Sequence, residues 1–575
     1  MRKNIVYSLV LVFVLIGVFG LAFRAQQAEA SGTIYIKADG SVGGTTYIVS
    51  DDNVTYTFTA DITDTIVVQR SNIIIDGKGH TLQGLGGEGF YLAVINNVTI
   101  RNTNIKGFGV GIQIIFGSYH NTISGNNITT NGIIGIQVGL WDMDDSSNNN
   151  IISGNNITAN DYYGIYVGPS TSHNTISGNN IMEPREGLDP IPYGIFLEEN
   201  SGNNIISGNN IVGLCLKGIC GEGSSYNTIS GNNITNNVSD PSHYDPYNSL
   251  DGIHLVSSSY NTISLNNITA NHFGIWIPLG SHYNTISGNK ITDNSYGILF
   301  NGYYISGGPS NNNIIFGNNI TANYWNGIYL DESSNNTISG NNIRGSCSGI
   351  ELVTVSNNSI VGNNITNNWM YGISLGGSNN VFYHNNFVDN TQQVSQSGYN
   401  SWDNDIEGNY WSDYTGVDSN HDGIGDSALG ADHYPLMGPF HSFNTTLGKY
   451  VNVISNSTIE SFQHFESNST IIIHVSNMTA NQTHGFCRIS IPYQVMSEPF
   501  NVTIDGVNPT YWNYTLYDNG THRWIYFEYE HTTREIVIIP EFPYFLILPL
   551  FMIVTLMAVI VYRRQLKKGN IVHQE

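Results

Sequence analysis

Five residues near position 420 have the types and spacing to hold a cation. In "DSNHDGIGD", Asp418, Asn420 and Asp422 fall on alternate positions, Gly423 allows a tight bend, and Asp426 closes the loop. Oxygen donors at that spacing wrap Ca²⁺, with the Ile424 carbonyl as a further ligand. The loop departs from an EF-hand, since no helical pattern flanks it and no Glu stands at the twelfth position. The expected role of calcium is structural, and the alternative is an Asp/Asn/Gly turn without metal.

A second set recurs along the chain. In each Gly-Ile-x on a strand, Ile faces inward and x outward. Going up the repeats, x is Gln113, Gln137, Tyr166, Phe196, Cys220, His254, Trp276, Leu299, Tyr329, Glu351 and Ser374. If exposed, Tyr166, Phe196, His254, Trp276 and Tyr329 form a stripe suited to stacking on sugar rings. If inserted loops cover them, they form a satellite core. Acid–base chemistry has weaker candidates in Glu198, Glu199, Asp251 and His254, close to the stripe. An inverting glycosidase would need two carboxyls roughly 6.5–9.5 Å apart. No paired aspartates recur with His-Gly and Arg-x-Lys partners, so the reading leans away from catalysis. "GKGHTLQG" (77–84) reads as a first-coil turn, and Asp142, Asp144 and Asp145 as a solvated acidic loop.

These residues are positioned by a repeat. The phrase "NTISGNNIT" or a close copy starts at Asn121, Asn150, Asn174, Asn204, Asn227, Asn261, Asn284, Asn313, Asn336, Asn358 and Asn380. Weaker copies start at Asn72 and Asn97, making about thirteen. The shortest intervals are 22 and 23 residues, a period that signals stacked units. In the copy at 121, short strands centre on Ile123 and Ile128, and a third is "GIQV" at 135–138. Gly-Asn-Asn and Thr-Asn-Gly separate them and tolerate the positive φ of sharp corners. Three strands and three corners predict one coil of a right-handed parallel β-helix. Coils stacked about 4.8 Å apart place each Asn above its counterpart, so amides can form ladders, while Ile columns fill the interior. Sequons such as Asn127-Ile128-Thr129 put Asn outward, where glycosylation is feasible.

Charged residues are only 11% of the 575, and the net charge is -24. An acidic chain poor in Lys and Arg is unsuited to nucleic acid or anionic lipid. The N-terminus (Arg2, Lys3, apolar Ile5–Phe23, then Ala28-Glu29-Ala30) is laid out as a secretory signal peptide. "YFLILPLFMIVTLMAVIVY" (544–562) would be about 28 Å long as a helix, enough to span a bilayer. Arg563, Arg564, Lys567 and Lys568 follow it and predict a cytoplasmic end. Of four cysteines, Cys215 and Cys220 are close enough to pair, whereas Cys215 and Cys347 lie several repeats apart.

The repeats resemble the NosD-like family, also called the carbohydrate-binding and sugar-hydrolase β-helix domain. The likeness covers about 72–440. It is strengthened by "GNYWSDYTGVDSNHDGIGD…DHYPLMGPF" (408–440), which resembles the closing segment of archaeal members, and by "IYIKADGSV" (34–42), similar to their mature N-terminus. "GFCRISIP" (485–492) resembles part of a small β-sandwich in archaeal surface proteins, and "PEFPYFLILPLF" (540–551) a PEF-type sorting tail. The resemblance implies the fold more strongly than a function. Copper handling, which the family name suggests, needs clustered soft or imidazole ligands. No His-His, Met-x-x-Met or Cys-x-x-Cys group occurs.

The expected architecture is all-β. A signal peptide (1–30) and N-terminal cap (31–71) precede a right-handed parallel β-helix (72–440). A β-sandwich-like juxtamembrane domain (441–539), a transmembrane anchor or sorting tail (540–562) and a basic cytoplasmic tail (563–575) follow. The expected role is binding of polysaccharide, glycoprotein glycans or neighbouring envelope proteins at the cell surface. A polysaccharide lyase or hydrolase and a structural spacer are the rivals.

Overall fold

A computed structural model describes residues 32–569 apart from 142, 144, 184–192, 214–215, 237, 239–248, 301–307, 498–499, 531 and 541–543. The expected signal peptide, and Asp142, Asp144 and Cys215, lie outside the described residues. The chain divides into two compact units, Met1–Asn284 and Thr285–Glu575.

The repeated phrase builds the same coil in both units. In the copy at 121 the strands are Thr122–Ser124, Asn127–Thr129 and Ile134–Val138. Each pairs in parallel with its counterpart one repeat later, Ile123 with Ile152, Ile128 with Ile157 and Ile136 with Ile165. In the second unit Ile315 pairs with Ile338, Ile320 with Ile343 and Ile328 with Ile350. Each unit thus holds three-sided parallel β-helix coils, as the repeat predicts. The inward isoleucines are wholly buried, each burial worth about 1.5–3 kcal/mol. A Cβ on Gly135 would stand 2.6 Å from the Gly164 carbonyl oxygen. Backbones approach too closely there for a side chain, which explains why Gly precedes the inward Ile in strand after strand.

Buried asparagines occupy the corners. Asn155 Oδ1 accepts both the backbone N–H and the Nδ2 of Asn126, each at 3.0 Å. Its own Nδ2 donates to the Ile123 carbonyl at 2.9 Å and to Asn179 Oδ1 at 3.0 Å. The Asn121 and Asn131 columns pair in a similar way. In the second unit Asn341, Asn363, Asn385 and Asn409 form such a column. It ends on Asp432, whose Oδ2 accepts the Asn409 N–H at 2.8 Å and the Trp411 indole N–H at 2.8 Å. A further ladder runs outside, where Asn156 Nδ2 donates to Asn127 Oδ1 at 2.8 Å. The sequon asparagine Asn127 therefore faces outward with its amide already engaged.

Around the first coil, Ile34–Ile36 pairs antiparallel with Val42–Gly43, and Ile48–Val49 with Thr55–Phe58. After the last coil a β-sandwich begins with strand Phe440–Asn444. Its five- and four-stranded antiparallel sheets enclose a core including Val451, Ile473, Cys487, Phe527 and Ile538. One buried carboxylate joins coil to sandwich. Glu407 Oε1 accepts from Arg488 Nε at 2.6 Å and Trp524 Nε1 at 2.9 Å, and Oε2 lies 2.8 Å from His384 Nε2. Burial alone would raise this carboxyl, yet the His384 hydrogen bond and the Arg488 charge hold it at about 2.

Two expectations change. Cys220 is buried as a free thiol, as are Cys347 and Cys487, so Cys220 does not form the pairing its spacing allowed. A helix does span Tyr544–Gly569. Among the described residues, however, no helix is long and apolar enough to cross a membrane.

The asparagine columns give a direct test. Replacing Asn232 by Ala removes the acceptor of Asn209 N–H and Nδ2 and the donor to the Ile206 carbonyl. Leaving such buried groups unpaired is expected to lower stability by about 2–3 kcal/mol in urea unfolding. The outward Thr158→Ala is expected to change it by less than about 0.5 kcal/mol.

Candidate functional site

The Gly-Ile-x column stacks as predicted. Gln113 pairs with Gln137, Tyr166 with Phe196, Phe196 with Cys220, Cys220 with His254 and His254 with Trp276. In the second unit Leu299 pairs with Tyr329, and Tyr329 with Glu351. The stripe is nevertheless covered. Tyr166, Phe196, His254 and Trp276 are 1%, 7%, 6% and 4% exposed, and Tyr329 is half-buried. Trp141, from the inserted loop, stacks on Tyr166 with ring centroids 5.3 Å apart. Residues preceding the glycines, Val110, Ile134, Tyr163 and Tyr193, pack beside the column. This is the satellite core, the arrangement the sequence left open, and it corrects the picture of an exposed aromatic platform.

Of the acid–base candidates, Asp251 and His254 meet, His254 Nδ1 lying 2.9 Å from Asp251 Oδ2. A residue missed in sequence completes the group: Lys217 Nζ stands 2.6 Å from the same oxygen and donates to the Ser249 carbonyl at 2.9 Å. Burial would raise the Asp251 carboxyl, but the Lys217 charge, with the His254 hydrogen bond, holds it below the usual range. Burial pushes His254 down despite that hydrogen bond, so the ring is neutral at pH 7. Asp251 Oδ1 and His254 Nε2 are buried without hydrogen-bond partners. Glu198 instead accepts the Tyr166 hydroxyl, and Glu199 is exposed.

The Asp418–Asp426 loop satisfies itself. Asp418 accepts the Asp422 N–H at 3.0 Å and the Gly423 N–H at 2.8 Å. Asp422 accepts the Ile424 N–H at 2.8 Å and the Asn420 amide at 3.2 Å, and Asp426 accepts the Ser419 N–H at 2.9 Å. Arg488 Nη1 donates to the Asp422 carbonyl at 2.8 Å, tying the loop to the sandwich. Among the described residues no three His, Cys, Asp or Glu side chains gather to hold a metal. For copper, the soft neighbour of Cys347 Sγ among the described residues is Met370 Sδ, 4.0 Å away.

An exposed aromatic column does exist, one position before the repeat's first asparagine. Tyr226, Tyr260 and Tyr283 are 56%, 47% and 49% exposed. Their rings stack with centroids 4.9 Å apart at each step and planes 2° and 11° from parallel. All three have positive φ, 63°, 58° and 56°. Asn149 and Asn203 hold the same corner in other coils, each with φ 57°. Asn adopts this left-handed backbone more easily than Tyr. Tyrosine in three successive coils is thus not what corner geometry selects.

Comparison with known proteins matches two family models. The one described as periplasmic copper-binding protein (NosD) matches residues 192–306 and 301–416, and the right handed beta helix region matches 49–213. No curated protein matches. Among solved structures, the Dettilon tailspike protein aligns at TM-score 0.34 and 16% identity, covering 83% of this chain and 87% of its own. The periplasmic alginate epimerase AlgG gives 0.32 and 14%, covering 61% and 80%. An alginate lyase from Paenibacillus sp. gives 0.24 and 15%, covering 49% and 89%.

Two outcomes follow from this geometry. Lys217→Met strands the buried Asp251 carboxylate and is expected to cost about 3–5 kcal/mol of stability, much of it recovered by adding Asp251→Leu. For the self-satisfied loop, calorimetry with and without a calcium chelator is expected to give the same melting temperature. A clear drop on chelation would instead mean that the loop rearranges around the ion.

Proposed function

We propose that this chain, a member of the NosD-like right-handed β-helix family, is a glycan-recognition scaffold that works along its coil surface at the cell envelope. The observation that carries the reading is the Tyr226–Tyr260–Tyr283 column. It presents phenol edges and hydroxyls to solvent at a 4.9 Å repeat, close to the length of one sugar in an extended chain. The left-handed backbone accepted at each tyrosine also supports a role beyond folding. Envelope localisation is part of the proposal. It rests on the apolar residues of the C-terminal helix, such as Met552, Leu556 and Ile560, which are 47–65% exposed and suit contact with lipid.

A lyase or hydrolase is the second reading. It draws on the unpartnered Asp251 Oδ1 and His254 Nε2, which would have to be opened to substrate. Release of reducing or unsaturated ends from a polysaccharide, lost in Asp251→Asn, would establish it.

The recognition reading is tested with the full chain in detergent, in pull-downs against insoluble polysaccharides and on a glycan array. Changing Tyr226, Tyr260 and Tyr283 together to Asn keeps a residue suited to the corner, so the fold is expected to survive. Binding is expected to weaken at least about tenfold, near the 1.4 kcal/mol that factor represents. Undiminished binding would remove the idea.

A further inference from the structure

Within the unit Thr285–Glu575, the corners of successive coils face the first sandwich strand, Phe440–Asn444, across a cleft of about 740 Å³. Its floor is bare backbone. Gly317, Gly340 and Gly362 have φ of 63°, 61° and 66°, and a Cβ on Gly317 would meet nothing within 4 Å. The far wall is rigid. Asn386 accepts the Phe440 N–H at 2.7 Å and donates to its carbonyl at 2.9 Å, while Phe440 stacks on His384 at 4.0 Å.

Two aromatic rings flank the opening, Phe316 at 49% and Tyr450 at 54% exposure. Neither is covered as the Gly-Ile-x stripe is, so their faces are available to the C–H face of a sugar. Polar groups stand between them. Ser442 Oγ donates to Asn452 Oδ1 at 2.7 Å, which orients the Asn452 amide and leaves its Nδ2 to donate. His441 lines the cleft with Nε2 buried and unpartnered, and burial pushes its pKa down, so the ring is neutral. Among the described residues no Lys, Arg, Asp or Glu lines the cleft. An acidic polysaccharide would find no cation here and would be repelled by a chain of net charge -24. The volume lies within the roughly 300–1,000 Å³ of small-molecule sites.

We propose that this cleft binds a short neutral oligosaccharide, stacked on Phe316 and Tyr450 and hydrogen-bonded by Asn452. The proposal rests on the glycan-recognition reading but uses none of the residues of the tyrosine column.

The test is calorimetric titration of the full chain with cello-, malto-, manno- and chito-tetraose and with oligouronates of the same length. Binding of at least one neutral tetraose is expected, with oligouronates inert. Phe316→Ala and Tyr450→Ala should each weaken that binding tenfold or more, and Tyr450→Phe should keep most of it. Both residues are half exposed, so unchanged melting temperatures would confirm that the variants are folded. Absence of any tetraose binding, preference for uronates, or indifference to both alanine variants would overturn the proposal. The two readings separate cleanly. Polymer binding that depends on Tyr226, Tyr260 and Tyr283, beside tetraose binding unaffected at the cleft, sinks the cleft alone. Tetraose binding lost in the cleft variants, beside polymer binding unaffected by the tyrosine changes, sinks the column alone.

Discussion

A polypeptide that coils on itself must dispose of backbone N–H and C=O groups at every corner, where no strand supplies partners. Here a side-chain amide from the next coil does so. In the column through Asn126, Asn155 and Asn179 one asparagine oxygen accepts two N–H groups from the coil before it, while its nitrogen reaches a carbonyl and the asparagine that follows. An unpaired buried amide is worth about 1–3 kcal/mol against folding. A slip by one residue would break every link in a column at once. The isoleucine columns supply the bulk of the hydrophobic stabilisation, and the same slip would turn each buried Ile outward. Amides and isoleucines hold one register together.

That register decides where chemistry can be placed. Every position becomes a column, so a functional feature is written as a run of like residues rather than as a local motif. In the tyrosine column Tyr260 and Tyr283 repeat Tyr226. The same rule lets the third face grow a second apolar layer, because Val110, Ile134, Tyr163 and Tyr193 form a column beside Tyr166 and Phe196. Within that layer Lys217 and Asp251 are register partners, and the sealed Lys–Asp–His group follows from their adjacency.

The coil, its strands and the pairing of Gln113 with Gln137 or His254 with Trp276 were legible from the recurrence of "NTISGNN" alone. Exposure was not. Alternation states which side of a strand a residue faces, not whether another layer lies over that side. The missing signal was the residue before Gly-Ile, aromatic or apolar at Val110, Ile134, Tyr163, Tyr193, Phe273, Tyr296 and Tyr371. Tyr226, Tyr260 and Tyr283 were equally visible as a column one place before the repeat begins. The calcium expectation rests on oxygen spacing, and an Asx-type turn shares that spacing, with backbone N–H groups engaging the same oxygens. The cleft joins Phe316 to Tyr450, and Glu407 joins Arg488 and Trp524. Contacts across such separations follow from the fold and carry no local pattern.

Asp432 stands where one column of amides stops. A primary amide both receives and passes on a hydrogen bond, so an asparagine column is in effect a growing polymer that invites another subunit. A carboxylate receives and passes nothing on. Placing aspartate at that point, where its Oδ2 also takes the Trp411 indole N–H, closes the relay inside the molecule: Asp432 is buried, and the run of donors finishes on an acceptor that calls for no further asparagine.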